Sequence, residues 1–253
     1  MQRSGRAIDY QDIPRPIAAM ADEYPAGHAT PWHSHRRSQL FYGSTGVARV
    51  ITEDGAWVAP PLRAIWVPGG IEHQVACRGP VSFRTLYIEP DASSRLPTAC
   101  RVMEVSDLLR SLIIESVSVP LTYDTLGRDG CMMQLLLHEI ELAPIGQLHI
   151  RMPQSRALRV MCEAILKDPS ISASIDDWAK KTGMSRRTLT RRFRIETGIS
   201  IATWITQARL IEAMSRIAEG ASITSVAFEV GYESSSAFGA MFRRTFGTSP
   251  TRF

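Results

Sequence analysis

The feature that most constrains the fold of this chain is an internal repeat near its C-terminus. Residues 173–200 and residues 221–250 share one skeleton of small and aromatic residues at nearly constant spacing. The matched positions are Ala179 and Ala227, Gly183 and Gly231, Phe193 and Phe242, and Gly198 and Gly247. The offset between the copies grows from 48 to 49 residues, so the second copy holds one extra residue, which we place in its turn.

Each copy of the repeat predicts a helix, a tight turn and a second helix. The alanine lets the two helices approach closely, and the glycine supplies the turn between them. Ser174 and Asp177 form the Ser-x-x-Asp pattern of a capping box, which predicts the start of a helix. In the second helix of the first copy, Leu189 and Phe193 fall on one face and arginines fall on the others. A single hairpin of this kind is commonly just a solvated basic surface, whereas two matching copies favour a tandem helix-turn-helix unit.

Charge is distributed unevenly along the 253 residues. Residues 1–149 carry 13 Lys+Arg and 16 Asp+Glu, whereas residues 150–253 carry 16 and 9. An acidic half joined to a basic half predicts that only the C-terminal half contacts a polyanion such as nucleic acid. The segment 143–155 contains two prolines and a glycine and coincides with this change. We predict a linker there, followed by helices only.

The N-terminal part has the pattern of a small β-domain. Between residues 17 and 90, short segments rich in β-branched and aromatic residues are punctuated by Gly and Pro, which predicts an antiparallel sandwich or barrel. Residues 106–119 and 127–144 then show the helical spacing of apolar residues. These two helices either cover the core of the β-domain or form a dimer interface, and the sequence leaves both alternatives open.

Cysteine usage and hydropathy narrow the cellular setting. The four cysteines are scattered and form no CxxC pattern, which fits a reducing cytoplasm and argues against a disulfide framework or a zinc finger. No apolar run reaches the ~18 residues that a membrane span needs. The N-terminal residues also lack the apolar segment of a signal peptide.

The C-terminal region resembles the DNA-binding domain of the AraC/XylS family of bacterial transcription regulators. The resemblance rests on the repeat and on the ending Phe-Arg-Arg-x-Phe-Gly-x-Ser-Pro at 242–250. It implies seven helices, with recognition helices at Ser185–Ile195 and Ser234–Thr245 that enter successive major-groove segments on one face of the DNA. The positions it assigns to DNA binding are Ser185, Arg186, Arg187, Thr190, Arg191, Ser235, Ser236, Gly239 and Ala240. Arginine suits bidentate contact with guanine and the positions in the second helix are short, so we expect the first copy to read bases and the second to position the protein.

Three of the six histidines lie within eight residues, at His28, His33 and His35. The spacing Gly27-x5-His33-x-His35-x3-Gln39-x6-Gly46 resembles the first motif of the cupin superfamily, and Pro68–His73 resembles the core of the second. The resemblance implies a divalent-metal site formed by His33, His35, Gln39 and His73. Alternating histidines on a strand share one face, and a third from a neighbouring strand completes such a set. His28 lies outside the motif and is taken as a surface residue.

The cupin resemblance is incomplete at the metal site. Gln39 stands where metal-binding cupins have Glu, and Leu62 and Cys77 stand where the second motif has Gly and often Asn. A neutral amide oxygen is a weaker ligand than a carboxylate, so a polar ligand pocket without metal stays open as the alternative. Six aromatic residues are available as core or as the walls of a cavity for a small molecule, and the strand register decides which: Trp32, Phe41, Tyr42, Trp57, Trp66 and Tyr87.

These features predict a two-domain α+β protein. Residues 1–105 form a cupin-like, jelly-roll β-barrel that senses an effector, and residues 106–144 form a helical region for dimerisation or linkage. Residues 145–253 form an all-α DNA-binding domain with helix-turn-helix units at about 174–195 and 223–246.

The expected function is that of a cytoplasmic, ligand-responsive transcription regulator, not an enzyme. Its expected partners are promoter DNA, a small-molecule or metal effector, a second copy of the chain and, for an activator, RNA polymerase, with no membrane. The resemblance extends to a subgroup that controls neighbouring efflux genes, so the target is an efflux or catabolic gene. Two alternatives remain: a metal-dependent cupin enzyme with a DNA-binding tail, and a constitutive DNA-binding protein whose β-domain only dimerises.

Overall fold

The computed structural model describes residues 6–45, 48–59, 63–77, 80–146, 149–218, 220–246 and 249–252. The chain divides into two compact units. The first comprises residues 1–53 and 57–149, and the second comprises residues 54–56 and 150–253. The helices that follow the β-domain therefore belong to the first unit, and the division after residue 149 lies close to the boundary at 144/145 that the sequence suggested.

The first unit contains two β-sheets. The strands up to residue 146 are β1 (Ile17–Tyr24), β2 (Ser38–Thr45), β3 (Ala48–Thr52), β4 (Gly55–Ala59), β5 (Arg63–Val67), β6 (His73–Cys77), β7 (Val81–Ile88), β8 (Arg101–Glu104) and β9 (Ile145–Gly146). One sheet has the order β1-β7-β2-β5-β8-β9, and β4, β3 and β6 lie side by side in the other. The prediction of a sheet-rich N-terminal domain followed by helices is confirmed, and two sheets are its observed form.

Strand β2 is buried over six consecutive residues because both of its faces are covered. Leu40 and Tyr42 belong to a hydrophobic cluster shared with the helices α1 (Asp107–Ser116) and α2 (Arg128–Leu142). Gln39 and Phe41 point the other way and line a cavity. Alternate residues of one strand therefore contribute to the core and to the cavity.

Helices α1 and α2 cover the six-stranded sheet. Their buried side chains pack against apolar residues of β1, β2, β5, β7 and β8; they are Leu109, Leu112, Ile113, Met133, Leu136 and Ile140. The first of the two alternatives for these helices, that they cover the core, is thus observed. Leu108, Leu135 and Leu142 stay exposed, so an apolar surface remains on the same two helices.

The segment predicted as a linker contains two short strands. Ile145 and Gly146 of β9 pair with Met103 and Val102 of β8, and β10 (His149–Arg151) follows. The all-α prediction for residues 145–253 is therefore wrong over the linker segment, whereas the described elements after residue 155 are all helical, as predicted. The open edge of β8 offers main-chain donors and acceptors to the chain that leaves α2, and pairing satisfies both strands.

The second unit is helical beyond β10. Its helices are α3 (Arg156–Lys167), α4 (Ile175–Thr182), α5 (Arg186–Thr197), α6 (Ile201–Ala218), α7 (Ile223–Glu229) and α8 (Ser235–Phe246). In the described part, six α-helices and a 3₁₀ turn at Pro250–Arg252 thus stand where the resemblance implied seven helices. Across the described ranges, none of the helices combines the length and apolarity required to cross a bilayer.

The repeat has the same backbone in both copies. The Met184 N–H donates to the Ala179 carbonyl at 2.9 Å, and the Tyr232 N–H donates to the Ala227 carbonyl at 2.9 Å. Both alanines are buried between their helices, as the pattern predicted. The second copy carries its extra residue between the turn glycine and Ser234, whose Oγ accepts from the Ala237 N–H.

The helix starts also follow the sequence pattern. The predicted capping box is present: the Ser174 Oγ accepts from the Asp177 N–H, and the Asp177 carboxylate accepts from the Ser174 N–H. The last glycine of the repeat, Gly247, lies outside the described residues.

The packing of α2 on the sheet predicts a large difference between two leucines. Leu136 is 0% exposed and Leu126 is 91% exposed. We expect Leu136→Ala to lower the free energy of unfolding by about 2–5 kcal/mol, because it leaves a cavity between α2 and the sheet. Leu126→Ala, as the control, should change it by about 0.5 kcal/mol or less. Urea unfolding of the full chain at fixed concentration measures both, and equal losses would contradict the core role of α2.

Candidate functional site

His33 and His73 lie opposite each other in an isolated antiparallel bridge at the start of β6. Their main chains exchange two hydrogen bonds, from the His33 N–H to the His73 carbonyl at 3.0 Å and from the His73 N–H to the His33 carbonyl at 2.9 Å. Residues directly opposite in such a bridge place their side chains on the same face. The bridge therefore brings together two histidines that are 40 residues apart in the sequence.

His35 joins this pair because the loop before β6 passes tightly against it. The Gly70 N–H donates to the His35 carbonyl at 2.7 Å. A Cβ on Gly69 would lie only 2.2 Å from the Arg36 carbonyl oxygen, so this loop position accepts no side chain. Gly69 thus allows the close approach of this loop to the main chain at His35 and Arg36, whereas Gly70 supplies the positive φ of +81° that the turn needs.

His33, His35 and His73 form the histidine cluster. Their potential ligand nitrogens all lie within 4.8 Å of one another. The ring centroids are 4.7 Å apart for His33 and His35, 4.5 Å for His33 and His73, and 5.5 Å for His35 and His73. The structure therefore brings together all three histidines that the cupin resemblance indicated.

Hydrogen bonds to main-chain carbonyls fix two of the imidazoles. His33 Nδ1 lies 2.7 Å from the Pro31 carbonyl oxygen, and His73 Nδ1 lies 2.9 Å from the Ile71 carbonyl oxygen. A carbonyl only accepts, so each Nδ1 carries the proton and each Nε2 of the neutral ring carries a lone pair. Metal-binding histidines show the same arrangement, in which the second ring nitrogen donates to a carbonyl.

Burial keeps two of the three histidines, His35 and His73, uncharged at neutral pH because it lowers the pKa of each. Burial lowers the pKa of His35 to about 4, and the neighbouring His33 and His73 lower it further. Burial likewise lowers the pKa of His73 to about 4, with a smaller contribution from His33. Because neutral imidazole is the form that binds metals, the cluster needs no proton release at these two positions before a metal binds.

Gln39 is the fourth predicted site residue, and the structure places it in the same cavity. It is 2% exposed and lies directly opposite Tyr87 in the pairing of β2 with β7. Within the described ranges, Gln39 Oε1, His35 Nε2 and His73 Nε2 are buried and have no hydrogen-bond partner. Buried polar atoms without partners are rare in folded proteins, because each costs free energy.

The cavity beside the cluster has a volume of about 260 Å³ and lies between the two sheets. Its lining includes three aromatic residues, Tyr24, Phe41 and Tyr87. Of the six aromatic candidates, Phe41 and Tyr87 line this cavity. The other four do not, since Tyr42 and Trp66 face the helices, Trp57 is buried in β4 and Trp32 is largely exposed.

Some residues of this region differ from the sequence prediction. Tyr24, Thr30 and Thr85 also line the cavity. Sequence reasoning missed them, and the alternation along β1 and β7 would have found Tyr24 and Thr85 once the strand pairing was known. His28 is not a simple surface residue, since it is half-buried and stacks on Tyr24 with ring centroids 4.4 Å apart. Gly46 and Leu62 of the cupin-like motifs lie outside the described residues.

Helix α5 exposes the arginines predicted for the first recognition helix. Leu189 and Phe193 are buried, while Arg186, Arg187 and Arg191 are exposed. Arg186 forms an ion pair with Asp176 at the start of α4, with Nη1 and Oδ2 3.0 Å apart. Arg187 and Arg191 lie one helical turn apart and form no ion pair within the part of the chain that the structure describes.

The other two predicted positions of this copy are used by the helix itself. The Ser185 Oγ accepts from the Thr188 N–H and so caps α5. The Thr190 hydroxyl donates to the main-chain carbonyls of Arg186 and Arg187 at 3.0 and 3.2 Å. The hydroxyl of Thr190 is thereby occupied within the helix, and its methyl group is the part left for an external contact.

Helix α8 presents a different surface from α5. Phe238 and Phe242 are buried, and the predicted contact positions lie away from them. Ser235, Ser236 and Ala240 are exposed and Gly239 is half-buried. This side of α8 therefore offers small side chains and main-chain groups, with Arg243 and Arg244 exposed near its C-terminal end.

Comparison with known protein families gives two matches. The model of the AraC-like ligand binding domain matches residues 19–166, which is more than half of the chain. The model of a helix-turn-helix domain matches residues 178–253. Each match falls on the region in which the histidine cluster or the helix-turn-helix repeat lies.

Individual relatives agree with these matches. The chain is similar to the HTH-type transcriptional regulator NimR of Escherichia coli K12, with 34% identity over 226 residues, or 88% of this chain and 82% of the relative. It is also similar to the HTH-type transcriptional regulator RipA of Corynebacterium glutamicum, with 33% identity over 102 residues, or 40% of this chain and 31% of the relative. Among solved structures, ToxT from Vibrio cholerae aligns with 94% of this chain and 97% of its own at 12% identity, with a TM-score of 0.39, too low to support an argument.

Proposed function

Because the chain belongs to the AraC family of helix-turn-helix transcription regulators and carries an AraC-like ligand-binding domain, we propose that its effector binds at the histidine cluster. The observation that carries this proposal is the histidine cluster itself, in which His35 Nε2 and His73 Nε2 are buried without partners, beside a cavity that is lined by His33, His35 and the equally unpartnered Gln39. Such atoms cost free energy until a bound species satisfies them. Effector binding therefore stabilises the folded structure of the first unit.

The donor set fits a divalent transition metal. The Nε2 atoms of His33 and His73 both carry lone pairs, so they cannot hydrogen-bond to each other. A cation that accepts both lone pairs, together with His35 and the amide oxygen of Gln39, satisfies the cluster. Neutral nitrogen ligands favour Zn²⁺, Co²⁺, Ni²⁺ or Cu²⁺ over Mg²⁺ or Ca²⁺. Such a metal supplies positive charge and a position open to a donor atom of a small effector.

The size of the cavity limits the organic part of the effector. Its volume of about 260 Å³ is below the ~300–1,000 Å³ of typical pockets for drug-sized ligands. The aromatic lining suits a small, partly apolar molecule. A donor-rich molecule that hydrogen-bonds to the same Nε2 and Oε1 atoms without metal is the second candidate, since the tautomers of His33 and His73 favour it equally.

Sensing is better supported than catalysis. Within the described residues, no carboxylate or cysteine lines the cavity, so the histidines have no carboxylate there to orient them for proton transfer and no thiol to act as a nucleophile. We propose that the protein is not an enzyme. A ligand that binds one conformation of the sensor more tightly by a few kcal/mol is enough to switch occupancy of the promoter.

The two recognition helices have different roles in this proposal. Arg187 and Arg191 on α5 read bases, because their guanidinium groups are exposed and form no competing ion pair with any described residue. Arg186 is held by Asp176 and is suited to a phosphate contact. The small residues of α8 let its backbone approach the DNA closely, so that helix positions the protein.

Further features concern the assembly and the target. The exposed Leu108, Leu135 and Leu142 support a homodimer formed through α1 and α2. We place the protein in the cytoplasm, where the four free cysteines remain reduced. Its target is a neighbouring efflux or catabolic gene. If the protein activates that gene, it contacts RNA polymerase.

The base-reading role of α5 predicts that two arginines determine sequence preference. Arg187→Ala and Arg191→Ala should each lower the affinity by roughly 1–3 kcal/mol and relax preference at particular bases. Arg186→Ala, the matched control, should weaken binding to all sequences about equally and reduce the salt dependence. Fluorescence anisotropy on a duplex selected by the wild-type protein from a random library measures these effects. Unchanged sequence preference in both variants would remove them from the reading surface.

The metal proposal predicts different effects for two histidines. The wild-type protein loaded with Zn²⁺ and dialysed should retain ~one ion per chain, and His73→Ala should lose affinity by roughly tenfold or more. His28→Ala lies outside the cluster and should retain the metal. Gln39→Glu should bind Zn²⁺ more tightly, because a carboxylate replaces a neutral oxygen. Elemental analysis measures the bound metal, and calorimetry measures its affinity. A wild-type protein that binds none of Zn²⁺, Co²⁺, Ni²⁺ and Cu²⁺ would contradict the metal proposal and favour a pocket that binds its effector without metal.

The dimer proposal predicts that a charge on α2 separates the protomers. Leu135→Glu should shift the sedimentation coefficient from that of a dimer to that of a monomer, because a carboxylate would be buried in an apolar interface. Ile8→Glu replaces an exposed apolar residue outside these helices and should leave the dimer intact. A wild-type protein that sediments as a monomer at micromolar concentration would contradict the proposal.

A further inference from the structure

Helix α6 joins the two helix-turn-helix copies and packs on both. Trp204 near its start stacks edge-on against Phe193 of α5, with ring centroids 6.1 Å apart. Near its end, Arg216 pairs with Glu229 of α7. Between these two contacts lies Arg209, a half-buried residue in the middle of the helix.

The Arg209 guanidinium binds the main chain of the second copy and of the loop that leads into the first copy. Its Nε donates to the Pro169 carbonyl at 2.8 Å, and its Nη2 donates to the Ile171 carbonyl at 3.3 Å, both in the loop between α3 and α4. Its Nη1 donates to the Gly231 carbonyl at 3.1 Å, in the turn between α7 and α8. One planar side chain thus connects the segment that leads into the first copy with the turn of the second.

The turn of the second copy is shaped around this arginine. A Cβ on Gly231 would lie 2.8 Å from Arg209 Nη2 and 3.1 Å from the Ser170 Cα. The equivalent glycine of the first copy, Gly183, has no atom within 4 Å of such a Cβ. Both glycines have positive φ, at +82° and +67°, so only Gly231 combines that conformation with a close neighbour.

We propose that Arg209 is a positioning residue that sets the distance and rotation between the two recognition helices. Three charge-assisted hydrogen bonds in a fixed planar fork hold α5 and α8 in one arrangement through their attached segments. The pair then binds DNA as one rigid reader, which requires a single spacing between its two contact segments. The inference rests on the proposed function only in that both helices contact DNA.

The physical consequence is a strict dependence on operator spacing. One inserted base pair moves a contact segment by about 3.4 Å and rotates it by roughly 35° about the DNA axis. A rigid reader cannot follow this change and loses contacts at one segment, which amounts to roughly a tenfold loss of affinity or more. A reader with a loose joint between its copies follows the change and loses much less.

The test uses the full-length protein and a duplex that it selects from a random library. Footprinting maps the two protected segments, and a series of duplexes then carries one or two base pairs added or removed between them. The wild-type protein should lose roughly tenfold or more in affinity at one added base pair. Arg209→Met should bind the original duplex more weakly but vary by less than about threefold across the series. Both proteins should bind a duplex that carries only one of the two protected segments with equal affinity. This control distinguishes a positioning role of Arg209 from a general loss of stability in the variant.

Two further variants keep the proposal testable if Arg209→Met does not fold. Arg209→Lys keeps the charge but cannot hold three carbonyls in one plane, so its spacing profile should lie between those of the wild type and Arg209→Met. Gly231→Ala should flatten the profile because its methyl group displaces the guanidinium. The matched control Gly183→Ala introduces only the backbone strain and should keep the wild-type profile while lowering the melting temperature. A wild-type protein whose affinity is the same at all spacings would overturn the proposal. So would an Arg209→Lys protein with the wild-type dependence of affinity on spacing, together with a Gly183→Ala protein whose affinity does not depend on spacing.

Discussion

Burial of strand β2 on both faces organises the first unit. On one side Leu40 and Tyr42 pack against α1 and α2, and on the other side Gln39 and Phe41 line the cavity between the sheets. Because side chains alternate along a strand, neither layer can be removed without exposing every second residue of β2. The helices therefore complete the core of the first unit, and the second sheet closes its cavity.

The histidine cluster lies in surroundings that are largely apolar. Burying imidazole and amide groups costs free energy unless each polar atom finds a partner. His33 and His73 satisfy one ring nitrogen through a neighbouring carbonyl, which also fixes the direction of the other nitrogen. The bridge between their main chains holds both rings on one face. The first unit thus fixes the direction of buried polar atoms without giving all of them a hydrogen-bond partner. This is the basis for our proposal of an effector site.

The helical unit shows how one skeleton acquires two surfaces. The buried alanines, glycine turns and phenylalanines repeat, because both copies need the same close approach of two helices. The exposed positions do not repeat, and α5 carries arginines where α8 carries serines and small residues. Contacts between the copies add a further level: Arg209 binds the Gly231 carbonyl in one copy and the loop that leads into the other.

The sequence alone determined the tandem repeat, the sheet-rich first unit and the histidines that belong together. The repeat and the strands depend on spacings of a few residues, which the periods of helix and strand enforce. The grouping of His33, His35 and His73 was instead implied by the resemblance of two separate motifs to the cupin superfamily. Only the tertiary structure decided that Phe41 and Tyr87 line the cavity, that Arg186 forms an ion pair with Asp176, and that two short strands form in the predicted linker. Those outcomes depend on strand register and on side chains that meet across different elements, and a short-range pattern holds no information about which distant partner will be opposite.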